Sequence, residues 1–164
     1  DAIPALTTEK AVALFEKFGV FTRAELQSRA EIQYETYAKV INIEAKSMID
    51  IASKQLIPSA IKYTKQLADT VIAVKSCGVD ASVQEEILKE TSALLAQART
   101  ALAKLVELDG KGASLQRGKK QAVFFNKEVV PAMGALRKPI DKLEMIVEKD
   151  MWPMPSYGDL IFEV

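Results

Sequence analysis

The sequence predicts an all-α chain: an elongated up-and-down bundle of three long antiparallel helices, with a short leading helix and an extended Pro/aromatic C-terminal tail. Three observations predict it. Apolar residues recur at three- and four-residue steps over runs of roughly 25 to 50 residues. Helix start and stop signals bracket those runs. No β-type alternation of useful length precedes the tail.

The elements follow in order. Asp1 to Thr7 is a lead-in containing Pro4, and a brief helix from about Thr8 to Phe18 ends at Gly19, where a left-handed residue is easily placed. Thr22-Arg23-Ala24-Glu25 has the form of a capping box and opens a long run. Along it, Ala30, Tyr34, Tyr37, Ile41, Ala45 and Met48 form one stripe, which continues past Pro58 through Ile61, Leu67 and Val71. Pro58 is expected to kink the run rather than end it. Cys77-Gly78 closes the run, with Cys77 expected to be small and partly buried.

Ser82-Val83-Gln84-Glu85 reads as a second capping box, starting a helix to about Leu108 with Leu94, Ala98, Leu102, Leu105 and Val106 on its buried side. Asp109 to Ser114, with Gly110 and Gly112, reads as a turn. A last run from about Leu115 to Lys149 carries Phe124, Val130, Met133, Leu136, Ile140 and Leu143, interrupted by Pro131 and Pro139. The expected organisation is a single domain over 1–164: a lead-in and short helix at 1–21, the long-helix bundle at 22–149, and the tail at 150–164. Helices rise about 1.5 Å per residue, so such a bundle is a rod, and rods usually serve as scaffolds or assembly elements.

Composition narrows the function. The 164 residues carry 22 basic and 22 acidic side chains, so no field of one sign points to nucleic acid or a membrane surface. No apolar run approaches the length of a membrane span. A single cysteine cannot form an internal disulfide and fits a reducing, cytoplasmic setting. Histidine is absent, which removes Ser-His triads, Glu-x-x-His di-iron sites and most zinc sites. No Gly-rich phosphate loop occurs either. The chain is expected to hold no catalytic, cofactor-binding or metal-binding residue. Its first residue is Asp, not Met, and we expect it to be part of a longer protein.

The candidate functional residues are therefore interface residues. Asn42 and Glu44 interrupt an apolar stretch between Val40 and Ala45. They read either as solvent-facing positions or as polar contacts to another domain. In the tail, Trp152, Tyr157, Leu160, Ile161 and Phe162 are apolar where a terminus is normally polar. They either cap the bundle's own core or dock on a neighbour, Trp and Tyr being favoured interface anchors. Arg117-Gly118-Lys119-Lys120 is a small basic cluster, a solvated turn by default and otherwise a seat for an anion or an acidic partner.

Three blocks, in order and in register, carry a resemblance. The first runs from Asp1-Ala2-Ile3-Pro4-Ala5-Leu6 into Ala13-Leu14-Phe15-Glu16-Lys17-Phe18-Gly19-Val20-Phe21-Thr22. The second runs from Glu25-Leu26-Gln27-Ser28-Arg29 through Ile41-Asn42-Ile43-Glu44-Ala45 to Leu67-Ala68-Asp69-Thr70. The third joins Val130-Pro131-Ala132-Met133 to Trp152-Pro153-Met154-Pro155-Ser156-Tyr157-Gly158-Asp159-Leu160-Ile161-Phe162. Together they resemble the C-terminal region of type III glutamine synthetase, with only Ala81 to Gln121 reading as generic helix. The resemblance implies a parent glutamate–ammonia ligase that uses ATP and Mg2+ or Mn2+ on a catalytic domain upstream of Asp1. It implies stacked rings of subunits, and a structural or assembly role for this region. The reading from a different class is an independent helical sensor or adaptor whose grooves bind partner helices.

Overall fold

A computed structural model describes residues 2–162, the side chain of Tyr157 excepted. Among them no strand occurs, and long helices run up and down as a bundle. The helices are α1 (Ala2–Ala5), α2 (Glu9–Lys17), α3 (Arg23–Ile51), α4 (Ile57–Ser76), α5 (Ser82–Ser114), α6 (Lys119–Phe124), α7 (Val130–Ile146) and α8 (Tyr157–Phe162). Two π-helical turns, Ala52–Leu56 and Phe125–Val129, join α3 to α4 and α6 to α7 without a break.

The prolines explain those turns. Pro58 and Pro131 each stand two residues after a π-turn ends. A proline ring crowds the carbonyl four residues back and supplies no N–H to bond it. A wider turn relieves the crowding, and the residue before each proline then bonds five residues back: Ile57 N–H donates to Ala52 O, and Val130 N–H to Phe125 O. The chain thus remains helical where an interruption at Pro131 is expected. Nor does Pro139 interrupt α7, which carries it buried in its interior. The residue left without that N–H, Ala135, is exposed, so water reaches its surroundings.

The wider turns also move the buried face. After the first, the core passes through Ile57 and Ala60 to Leu67 and Val71, leaving Ile61 exposed rather than on the stripe. Val130 and Val106 are likewise exposed, not core.

The chain forms two compact units. In the first (Asp1–Lys46 with Glu107–Pro131), Val12, Leu26, Ala38, Phe125 and Val129 are buried. Here α2 starts at Thr8, whose hydroxyl accepts from the Ala11 amide, and ends at Gly19 with φ 63°. The Thr22 box forms as written: Thr22 N–H donates to Glu25 Oε2 at 2.7 Å, and Glu25 N–H to Thr22 Oγ1 at 3.3 Å. These bonds, the backbone one foremost, hold the Glu25 carboxyl below its usual pKa.

The turn expected at Asp109–Ser114 does not exist; α5 runs through it to Ser114. Gly112 serves packing instead. A Cβ there would lie 2.9 Å from Phe125 Cζ, so the absent side chain is what admits the buried Phe125 ring. The chain reverses later, between Ser114 and Gly118, and Gly118 takes a φ of 104° that glycine tolerates.

In the second unit (Ser47–Val106 with Ala132–Val164), Leu56, Leu67, Leu102, Leu105, Leu136 and Leu143 are among the buried residues. The expected Ser82–Glu85 box is replaced. Asp80 accepts from both the amide and the hydroxyl of Ser82, at 3.2 and 2.5 Å, while Glu85 pairs with Lys75. An acid two residues ahead of the serine captured it first. Cys77 is exposed, not partly buried, because it sits at the helix end where α4 meets its turn.

The tail is not extended throughout. A 3-10 turn covers Lys149–Met151, an extended stretch carries the prolines, and residues 157–162 return to helix as α8. A capping box that the sequence holds in plain view starts it. Ser156 N–H and Oγ both donate to Asp159 Oδ2 at 2.7 Å, and Asp159 N–H donates back to Ser156 Oγ at 3.3 Å.

Candidate interaction surface

The candidate residues fall into two places. Asn42 lies on α3, half-buried, and its amide donates to Asp109 Oδ1 on α5 at 2.8 Å. Asp109 is only 6% exposed. A buried carboxylate must be hydrogen-bonded to be tolerated, so Asn42 has an intramolecular duty as its partner. Glu44, two residues on, faces solvent. The two residues are thus not one polar contact surface: one is engaged inside the unit and the other is free of the core.

The tail divides as well. The Ser59 hydroxyl bonds the Met151 carbonyl, and Gln66 reaches Glu148 at 3.4 Å, fixing the entry of the tail against α4. Trp152 then folds into its own unit, 8% exposed, its indole N–H without a hydrogen-bond partner among the described residues. Beyond the prolines the polarity reverses. Leu160, Ile161 and Phe162 on α8 are 67%, 65% and 81% exposed. The Tyr157 side chain lies outside the described residues. Lys149 Nζ bonds Asp159 Oδ1 at 2.8 Å and ties α8 back to the 3-10 turn. That ammonium first, then the Ser156 hydroxyl and amide, lower the Asp159 pKa to about 2. The tail therefore combines the buried Trp152 with an exposed apolar helix beyond the Pro153–Pro155 stretch.

The first unit carries a different surface. The basic cluster lies at the start of α6, and Lys119 and Lys127 line a cleft of about 230 Å³ with Tyr34 and Tyr37 of α3. Asn126 donates to the Tyr37 hydroxyl at 2.8 Å. Among the described residues, no three His, Cys, Asp or Glu side chains come together in a way that could hold a metal ion. Among the described residues no helix is long and apolar enough to cross a membrane.

Comparison with known proteins gives this surface its context. Residues 1–75 match the family model described as the glutamine synthetase C-terminal domain. A glutamine synthetase of Butyrivibrio fibrisolvens is 29% identical across 100% of this chain and 24% of its own length. The type-3 glutamine synthetase of Dictyostelium discoideum is 31% identical across 99% of the chain and 23% of its own length. A Bacteroides fragilis glutamine synthetase is 26% identical across 93% and 22%. The chain thus spans about a quarter of the length of the curated relatives it matches.

The fold and these matches define an all-helical domain of a larger type of protein. The chain belongs to the glutamine synthetase family and corresponds to its C-terminal domain, with a type-3 enzyme among its relatives.

Proposed function

We propose that the chain is the assembly-supporting helical domain of a type III glutamine synthetase, and that the chemistry is carried by polypeptide outside it. The parent would form glutamine from glutamate and ammonia with ATP and Mg2+ or Mn2+, as a cytoplasmic assembly of stacked rings. The observation that carries this reading is the end-to-end match: relatives named as glutamine synthetases align along 93% or more of this chain yet only about a quarter of themselves. The absence of histidine from the whole sequence supports placing proton transfer and metal binding elsewhere.

Within the assembly, α8 is the element proposed to contact the catalytic domain or a neighbouring subunit. Three consecutive exposed apolar residues, Leu160 to Phe162, leave water only by docking, and each large side chain so buried contributes about 1.5–3 kcal/mol. Trp152 is the anchor that sets where α8 is presented.

The test is the intact mass and peptide map of the native protein that carries this sequence, together with its ATP-dependent synthesis of glutamine. A chain far above 18.0 kDa that makes glutamine is the expected result. A native chain of 18.0 kDa without that activity overturns the reading in favour of a freestanding helical adaptor.

A further inference from the structure

We propose that the cleft of the first unit lined by α1, α3 and α6 seats an acidic, apolar-interrupted segment of the catalytic domain. This rests on the proposed function and adds a partner chemistry to it. From Gly110 to Lys127 the sequence holds five cations and no acid. Lys111 pairs with Glu107, while Lys119 and Lys127 have no ion-pair partner among the described residues. Both stand at the cleft, and among the described residues no carboxylate lines it.

The remaining polar groups suit an acceptor. Asn126 donates to Tyr37, which leaves the Tyr37 hydroxyl its own proton to give. Tyr34 adds a second hydroxyl, half-buried and without a hydrogen bond among the described residues. Val123 stands four residues from each lysine in sequence, and Ile3 and Pro4 add further apolar lining. Eight residues separate the two lysines, about 12 Å at 1.5 Å per residue. A free phosphate is too small to meet both lysines and gains nothing from the apolar lining. A segment with two carboxylates about 12 Å apart and an apolar side chain between them, such as residues two helical turns apart, meets every group.

The leading turn of the domain points to the source. Ile3 and Pro4 of α1 form part of the cleft wall. On the proposed function, the catalytic polypeptide joins the chain ahead of α1.

Zero-length carbodiimide coupling tests the proposal, because it joins an ammonium to a carboxylate only where they already touch. The full-length protein is treated and its peptides mapped, with exposed Lys10 as the internal control. Lys119 or Lys127 is expected to couple to Asp or Glu of the catalytic domain. In Val123→Glu, which sets a like charge at an exposed position of the cleft, that coupling is expected to fall about tenfold while Lys10 is unchanged. Coupling of Lys119 and Lys127 only to residues within 1–164 overturns the proposal, as does their failure to couple while Lys10 reacts. Glutamine synthesis is measured on the same preparation. Activity without the coupling overturns this inference alone; absence of both a catalytic domain and activity overturns the proposed function with it.

Discussion

Two glycines two residues apart, Gly110 and Gly112, differ in their surroundings although they share a helix. Nothing lies within 4 Å of a Cβ at Gly110, whereas Gly112 meets the Phe125 ring. Gly110→Ala is therefore expected to stabilise the fold by about 0.5–1 kcal/mol through helix propensity alone. Gly112→Ala gains the same propensity but forces a ring that is only 1% exposed and has no room to retreat. Overpacking of about 1–3 kcal/mol wins, and the protein is destabilised. Urea unfolding of the two variants gives the signs directly. The same logic separates Asn42 from Glu44. Asn42→Ala strands the buried Asp109 carboxylate and is expected to cost about 1–3 kcal/mol, whereas Glu44→Ala, at an exposed position, stays within about 0.5 kcal/mol. Equal effects in urea unfolding would mean that the Asn42–Asp109 bond carries no weight.

At the scale of elements, the sequence was most legible where one local signal had no competitor. Thr8, Gly19 and the Thr22–Glu25 box mark α2 and the start of α3 as read, because their partners lie within a turn. The box at Ser82 failed because Asp80, two residues ahead and readable in the sequence, took the serine, and because Lys75, ten residues before Glu85, took the glutamate across the turn between α4 and α5. The Asp109–Ser114 segment was misread because glycine signals a turn in isolation, while its reason here is a ring brought from 13 residues further along. The box at Ser156–Asp159 was legible but was hidden by the prolines before it. Of the candidate surface, the apolar end of the tail was readable from composition, but the burial of Trp152 and the engagement of Asn42 depend on tertiary neighbours.

The π-turns make a sharper prediction. A π-turn holds one residue more than an α-turn needs, so removing exposed Lys54 together with Pro58→Ala is expected to restore plain helix while keeping Leu67 and Val71 buried. Removing exposed Lys62 from α4 instead rotates every later residue by about 100°. Circular dichroism melts are expected to show the first variant close to the parent and the second strongly destabilised. The reverse order would show that the π-turn is not a one-residue insertion. For α8, the depressed Asp159 pKa fixes the sign of its acid response. Its capping is complete above the ordinary carboxylate pKa of 3.8 and is lost as pH falls from there through about 2. Amide NMR signals of Leu160 and Ile161 are expected to report fraying centred near the lower value. Fraying centred near 4 would show that Lys149 and Ser156 do not hold the carboxylate.

At the scale of the whole molecule, the chain presents two surfaces that suit contact: the exposed apolar residues of α8 and the basic cleft beside Tyr34 and Tyr37. On the proposed function both have a purpose, since the chain spans about a quarter of the length of the relatives it matches. The central claim is that this domain supports assembly. Its most direct test is light scattering of the full-length protein, with and without the exchange of Leu160 and Phe162 for serine. Both residues are exposed, so the domain's own fold is expected to survive. The predicted result is a smaller assembly than the parent's, with glutamine synthesis reduced alongside it. An assembly of unchanged mass and unchanged activity would contradict the account.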